Sequence, residues 1–139
     1  MVSLFGKLSV KESTASAGDW AVRGENGNKA SLTGPSFFWS GSAETWWNKQ
    51  TVDWMVDDWH IQLIRCPVSI APGYWKNTAP FGSYSPVMVG TTWNNKDYYS
   101  NPELAKAMMD EMVAAAIEND IYVIIDFHEH FAENLKTKP

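Results

Sequence analysis

The chain has 139 residues, 45% hydrophobic and 19% charged, which is room for one ordinary domain but short of the ~250 residues of a complete (β/α)8 barrel. That apolar content excludes a disordered chain, and eleven basic against sixteen acidic groups, a formal charge of −5, argue against a nucleic-acid partner. No run approaches ~20 apolar residues, so no membrane span is expected, and a single cysteine, Cys66, excludes an internal disulfide or a multi-cysteine zinc site.

Met1 to Gly6 lacks a basic start followed by an apolar run, so no signal peptide is expected. Leu4 to Val10 is predicted as a short strand, followed by the polar loop Lys11 to Gly18. Trp20–Arg23 and Asn28–Leu32 flank Glu25-Asn26-Gly27, and an Asn-Gly pair is a strong hairpin signal. Lys29 to Phe38 reads as a strand weakened by Gly34 and Pro35. A helix begins between Ala43 and Lys49 and ends near Asp58, with Trp47, Thr51, Trp54, Met55 and Asp58 on helical spacing. Ile61 to Pro67 is a β-branched run stopped by proline, hence a strand.

Val68 to Ser100 is long and rich in Gly, Pro, Asn and Ser, yet it carries Tyr74, Trp75, Phe81, Tyr84, Trp93, Tyr98 and Tyr99. Loops of this length in compact domains are usually functional or disordered. Asn101-Pro102-Glu103 then opens a second helix, with a capping side chain, a proline near the first position and an acid in the first turn. Leu104, Met108, Met112, Ala115 and Ala116 are its predicted core face. Ile121 to Phe127 is the clearest strand, apolar enough for burial on both faces.

Hairpin, β, α, β, loop, α, β implies a parallel sheet with right-handed crossovers, either open or part of a barrel. Ligands of such folds sit at the carboxyl ends of the strands. Those ends hold Phe37 to Trp39, Arg65 to Pro67, and Asp126-Phe127-His128-Glu129-His130. Arg65 either holds an anion or a carboxylate for function, or pairs structurally with a neighbouring acid. Asp126, His128 and His130 share one face of an extended strand, and His128-x-His130 is a possible metal pair, although a metal needs three or four ligands and the other histidine is His60. His-Glu-x-x-His is not met, because position 132 is Ala. No Gly-rich phosphate loop or Gly-x-Ser-x-Gly elbow occurs, Ser36 and Ser40 lacking the flanking glycines. Cys66 reads as a buried structural thiol rather than a nucleophile.

Eight tryptophans, five tyrosines and six phenylalanines need their own account. Trp46, Trp47, Trp54 and Trp59 lie in or beside the first helix and read as mostly core. Trp39, Trp75, Trp93 and Tyr98-Tyr99 lie in loops. There, with Asn77, Asn94 and Asn95, they suit stacking on a neutral polysaccharide, or packing of the long loop on itself.

Three segments together are more specific. Ser36 to Ser40, Thr51 to Trp59 followed by Ile61 to Arg65, and Ala114 to His128 resemble, in that order along the chain, the first-strand end, the helix-then-strand signature and the third-strand region of glycoside hydrolase family 5 cellulases. Trp is more usual in that family at position 127. The resemblance runs to about Glu133 and implies an α/β fold: a partial, half-barrel-like TIM (β/α)8 barrel, three parallel strands preceded by a short N-terminal β-hairpin. It divides the single domain into a hairpin lid (1–28), a βαβαβ body (29–133) and a tail (134–139).

It also implies retaining endo-hydrolysis of β-1,4-glucan by two carboxylates about 5–5.5 Å apart, a secreted or periplasmic location and no cofactor. Arg65 matches the arginine that keeps the nucleophile ionised, and His128 the histidine lining the cleavage site. Trp39 matches a sugar-contacting aromatic, with Trp75 and His130 as further β-glucan or cello-oligosaccharide contacts. The family's acid/base follows an Asn, and no Asn-Glu pair occurs here. The chain therefore reads as the N-terminal part of a cellulase without the two catalytic glutamates. Glu129, Glu133 and Asp126 are the only acids near the expected site, and Glu129 is the candidate catalytic acid should the chain hydrolyse β-glucan. Three strands leave exposed barrel edges, which implies a homo-oligomer. Two other readings stand beside this one: a non-catalytic β-glucan-binding module, and a metal-dependent hydrolase built on His128 and His130.

Overall fold

A computed structural model describes residues 1–41, 43–70, 97–98 and 101–128. The chain opens with a one-turn helix α1 (Val2–Phe5) and a two-stranded antiparallel ribbon, β1 (Ser9–Glu12) with β2 (Trp20–Arg23). A 3-10 turn (Glu44–Trp46) leads into α2 (Lys49–Trp59), then β3 (Leu63–Ser69), α3 (Pro102–Glu118) and β4 (Tyr122–His128). β3 and β4 are parallel, in register from Leu63 opposite Tyr122 to Ser69 opposite His128. Among the described residues, no helix is long and apolar enough to cross a membrane.

The helices begin where local chemistry sets them. The Asn48 side chain accepts from the Thr51 N–H at 2.9 Å, and the Asn101 side chain from the Leu104 N–H at 3.2 Å. Each thereby satisfies a donor with no partner inside its helix. Pro102 fills a first-turn position where a missing N–H costs nothing. Both helices cover one face of the sheet. Ile64, Cys66 and Val68 of β3 pack there with Val52 of α2 and Ala105, Met112, Ala115 and Ala116 of α3.

Several expectations are corrected. Residues 2–5 are helical, not extended, because the Met1 carbonyl accepts from Leu4 and Phe5, while Asp120 binds the Met1 ammonium and Ser3. The turn at Glu25-Asn26-Gly27 forms, with Gly24 N–H donating to Asn28 and Gly27 at φ 80°. Its second arm is a single bridge, Arg23 to Lys29, and the ladder of β2 is instead with β1.

Lys29 to Phe38 is not a regular strand. One parallel bridge, Ser36 to Arg65, joins it to β3. Backbone bonds from Gln62 to Thr33, Arg65 to Pro35, Phe37 to Arg65 and Ser40 to Pro67 nevertheless hold it along β3 as a third, irregular strand. Pro35 has no N–H to extend that ladder. β3 also runs through Pro67 instead of stopping there. The Pro67 carbonyl accepts from Ser40, so its missing N–H falls on the irregular side and no bond to β4 is lost.

The core face of α2 is rotated from the expected one. Trp47 is 3% exposed and Thr51 and Val52 are buried, whereas Trp46, Trp54 and Trp59 are 44–60% exposed. Tryptophans are large enough to mimic a core stripe on spacing alone. On α3, Ala105 takes the buried position expected of Leu104, which is exposed. β4 is not buried on both faces either: Ile124, Ile125 and Phe127 are 47–60% exposed. Among the described residues only β3 pairs with β4, leaving its other edge uncovered.

Candidate active site

In a strand, alternate residues share a face. With β3 and β4 in register, Arg65, Pro67 and Ser69 lie on one face with Ile124, Asp126 and His128, opposite the face packed on the helices. Ser36 joins them through its bridge to Arg65. Three strands thus bring polar groups together at the carboxyl end of the sheet.

Arg65 is the centre of the group. Its Nη1 donates to Ser36 Oγ at 2.9 Å and its Nη2 to Asp126 Oδ2 at 2.5 Å. His128 Nδ1 lies 2.8 Å from the same Asp126 oxygen and 3.3 Å from Arg65 Nη2. The Trp39 ring meets the His128 ring edge-on, centroids 5.1 Å apart, and Phe38 stacks beside Trp39 at 6.1 Å. Arg65, Asp126 and His128 are only partly exposed, with side-chain values of 40%, 23% and 25%. Desolvation on this scale strengthens charged hydrogen bonds without removing the groups from a ligand's reach.

The loop carrying Trp39 is fixed from below. Ser69 N–H donates to Ser40 Oγ and Gly41 N–H to Ser69 Oγ, both at 2.9 Å, in a reciprocal pair of buried serines. Trp47 Nε1 donates to the Phe38 carbonyl at 2.9 Å. Trp39 is therefore held between an anchored loop and the end of β4.

Of the residues singled out from the sequence, Arg65, His128 and Trp39 come together here. Trp75, Glu129 and His130 lie outside the described residues, as do Trp93, Glu133, Asn77, Asn94 and Asn95. Ser36, Ser40 and Ser69 are the members that motif reasoning missed. Their signal is register: Ser69 ends β3, Ser40 follows the irregular strand opposite Pro67, and Ser36 faces Arg65. Cys66 points the other way, into the core, fully buried, and burial pushes its thiol up to about 12, so it is inert as a nucleophile. Among the described residues no three His, Cys, Asp or Glu side chains are grouped as metal ligands. The Asp126 oxygen nearest His128 is already bound to a guanidinium, which would repel a divalent cation there.

Parallel strands backed by helices, with charged and aromatic groups gathered at their carboxyl ends, are the layout of (β/α)-barrel enzymes. The chain belongs to glycosyl hydrolase family 5: the family model "Cellulase (glycosyl hydrolase family 5)" matches residues 24–138. It is similar to Endoglucanase Z of Dickeya dadantii, 28% identical over 123 residues, covering 81% of this chain and 24% of that protein. Among solved structures, a Cytophaga hutchinsonii protein is 30% identical with a TM-score of 0.68, over 96% of this chain and 34% of that one. The alkaline cellulase K catalytic domain is 25% identical with a TM-score of 0.67, over 93% and 29%. A thermostable, halotolerant family 5 cellulase from an Icelandic hot spring isolate, 23% identical, shares the fold with a TM-score of 0.72, over 97% and 33%. The chain thus spans about a quarter of the curated relative and about a third of the solved structures.

Proposed function

We propose that this chain forms one wall of the glucan cleft of a retaining endo-β-1,4-glucanase barrel, and that it binds cello-oligosaccharides. The observation carrying this reading is the Trp39–His128–Asp126–Arg65 cluster at the carboxyl end of the sheet. Trp39 offers an aromatic surface to the C–H face of a pyranose, and His128 beside it bonds a hydroxyl. Arg65, anchored by Ser36 and Asp126, keeps a permanent positive charge at the site and would hold a nucleophilic carboxylate ionised. By the family resemblance, Trp75 and His130 are further candidate sugar contacts and Glu129 a candidate acid. The division into a lid (1–28), a body (29–133) and a tail (134–139) completes a half-barrel-like unit.

Retaining hydrolysis needs two carboxylates about 5–5.5 Å apart, and the one carboxylate of the described cluster, Asp126, is committed to Arg65. In this reading the chain binds glucan, and hydrolysis of its own is weak, absent or dependent on assembly; a non-catalytic glucan-binding module is the alternative. The exposed Ile124, Ile125 and Phe127, and the edge of β4 that no described residue pairs with, support association with further copies. The family resemblance supports a secreted or periplasmic location.

A solved endoglucanase catalytic domain from Thermobifida fusca, 21% identical with a TM-score of 0.62, covers 92% of this chain and holds cellotetraose. That makes cellotetraose the natural probe. Isothermal titration is expected to show binding that Trp39→Ala weakens about tenfold, roughly 1.4 kcal/mol. No binding, or equal affinity in the variant, overturns this reading.

A further inference from the structure

Asp126 is the acid that both polar partners of the cluster share, and the reading above gives it no role in cleavage. We propose that Asp126 is a positioning residue, fixing the ring tautomer of His128 and the plane of the Arg65 guanidinium through a single oxygen. Sugar contact by His128 is the only part of this that rests on the glucan reading.

Asp126 Oδ2 accepts from Arg65 Nη2 at 2.5 Å and lies 2.8 Å from His128 Nδ1, while Nδ1 lies 3.3 Å from the same Arg65 nitrogen. Nδ1 can donate to the carboxylate or accept from the guanidinium, not both. If it carried a lone pair, two acceptors would face each other at 2.8 Å, exchanging a short charge-assisted bond to the carboxylate for a longer one to the second N–H of Arg65 Nη2. Nδ1 is therefore protonated. A neutral imidazole has one donor and one acceptor nitrogen, so Nε2 is then the acceptor. A ligand hydroxyl bonded to Nε2 must be the donor, which favours polyols over groups that can only accept.

Arg65 is constrained by the same oxygen. With Nη1 on Ser36 at 2.9 Å and Nη2 on Asp126, two fixed points on two different strands define the guanidinium plane. Removing the carboxylate releases one of those points and the histidine tautomer together. A residue serving only as bulk at a strand end would not couple the two.

The test reads the tautomer directly. In 15N-labelled protein at pH 8, long-range 1H–15N spectra distinguish protonated from unprotonated ring nitrogens, and His128→Gln assigns the signals. The wild type is expected to show a protonated Nδ1 and an unprotonated Nε2. Asp126→Ala is expected to move His128 to the Nε2–H form that free imidazole side chains prefer, and to weaken cellotetraose binding about tenfold. Asp126→Asn keeps a carbonyl acceptor and is expected to restore much of the Nδ1–H form. A wild-type ring protonated on Nε2, or an Asp126→Ala variant that retains Nδ1–H, overturns the proposal. Should Asp126→Ala fail to fold, the wild-type and Asp126→Asn spectra decide. The tautomer is measured without sugar, so failure of the wild type to bind cellotetraose counts against the glucan reading alone.

Discussion

Gly34→Ala is the most informative single perturbation, because it acts on the seam between the irregular first strand and β3. A Cβ at position 34 would overlap the carbonyl oxygen and carbon of Leu63. Both are backbone atoms, so no rotamer change relieves the clash. Reaching ordinary contact would require residues 33–37 to retreat from β3 by roughly 1–2 Å. Of the four backbone bonds across this seam, three involve residues 33–37: Gln62 to Thr33 at 2.9 Å, Arg65 to Pro35 at 3.1 Å and Phe37 to Arg65 at 2.9 Å. At a net ~1 kcal/mol each, their loss costs about 3 kcal/mol, a large part of a domain's ~5–15 kcal/mol. Urea unfolding followed by tryptophan fluorescence measures it directly, and with m near 1–3 kcal/mol/M the midpoint falls by about 1–3 M. Gly18→Ala is the control: φ is 83° there with open space around the added methyl, so only the left-handed backbone cost of about 1–2 kcal/mol applies. An effect of Gly34→Ala equal to or smaller than that of Gly18→Ala would refute the close approach.

Two further outcomes follow from the core and the amino terminus. Met112, fully buried between helix and sheet, is expected to cost about 2–5 kcal/mol when changed to Ala, read by the same titration; a change under about 1 kcal/mol would mean the site collapses or was never packed. Asp120 is held near 2, below its ordinary 3.8, chiefly by its hydrogen bond from the Met1 ammonium and then by those from Ser3. A folded-state value below the unfolded one means its contribution is complete above about pH 4 and lost as pH falls through about 2. Asp120→Asn should therefore flatten the decline of melting temperature with acid across that window, and an unchanged slope would refute the link.

The elements with strong local chemistry were readable from the chain. Asn101-Pro102-Glu103 announced α3 because capping and the proline preference act within one turn, and β4 was readable from its uninterrupted β-branched and aromatic run. What failed depended on partners far away in sequence. Residues 2–5 curl into a helical turn because Asp120, more than a hundred positions on, supplies the acceptors. β3 passes through Pro67 because of which neighbour its carbonyl faces, a matter of register that no window of sequence contains. The helix tryptophans misled for another reason. Trp54 and Trp59 rest on each other, centroids 5.0 Å apart, so their bulk is partly satisfied on the outer surface without entering the core.

The site was legible where period and position coincide. Arg65 lies in β3 two residues after its start, and Asp126 and His128 lie two apart at the end of β4, so alternation alone puts the latter pair on one face. Their meeting with Arg65 needs the register of β3 on β4, and that is set by the whole length of the two strands. That register brings out the ion pair on which one of the two readings of Arg65 rested. Its guanidinium is both paired with an acid and placed at the carboxyl end of the sheet. A cation fixed by Ser36 and Asp126 presents its charge in one direction. A mobile arginine would instead spend about 2 kcal/mol of rotamer entropy on becoming ordered when a ligand arrived.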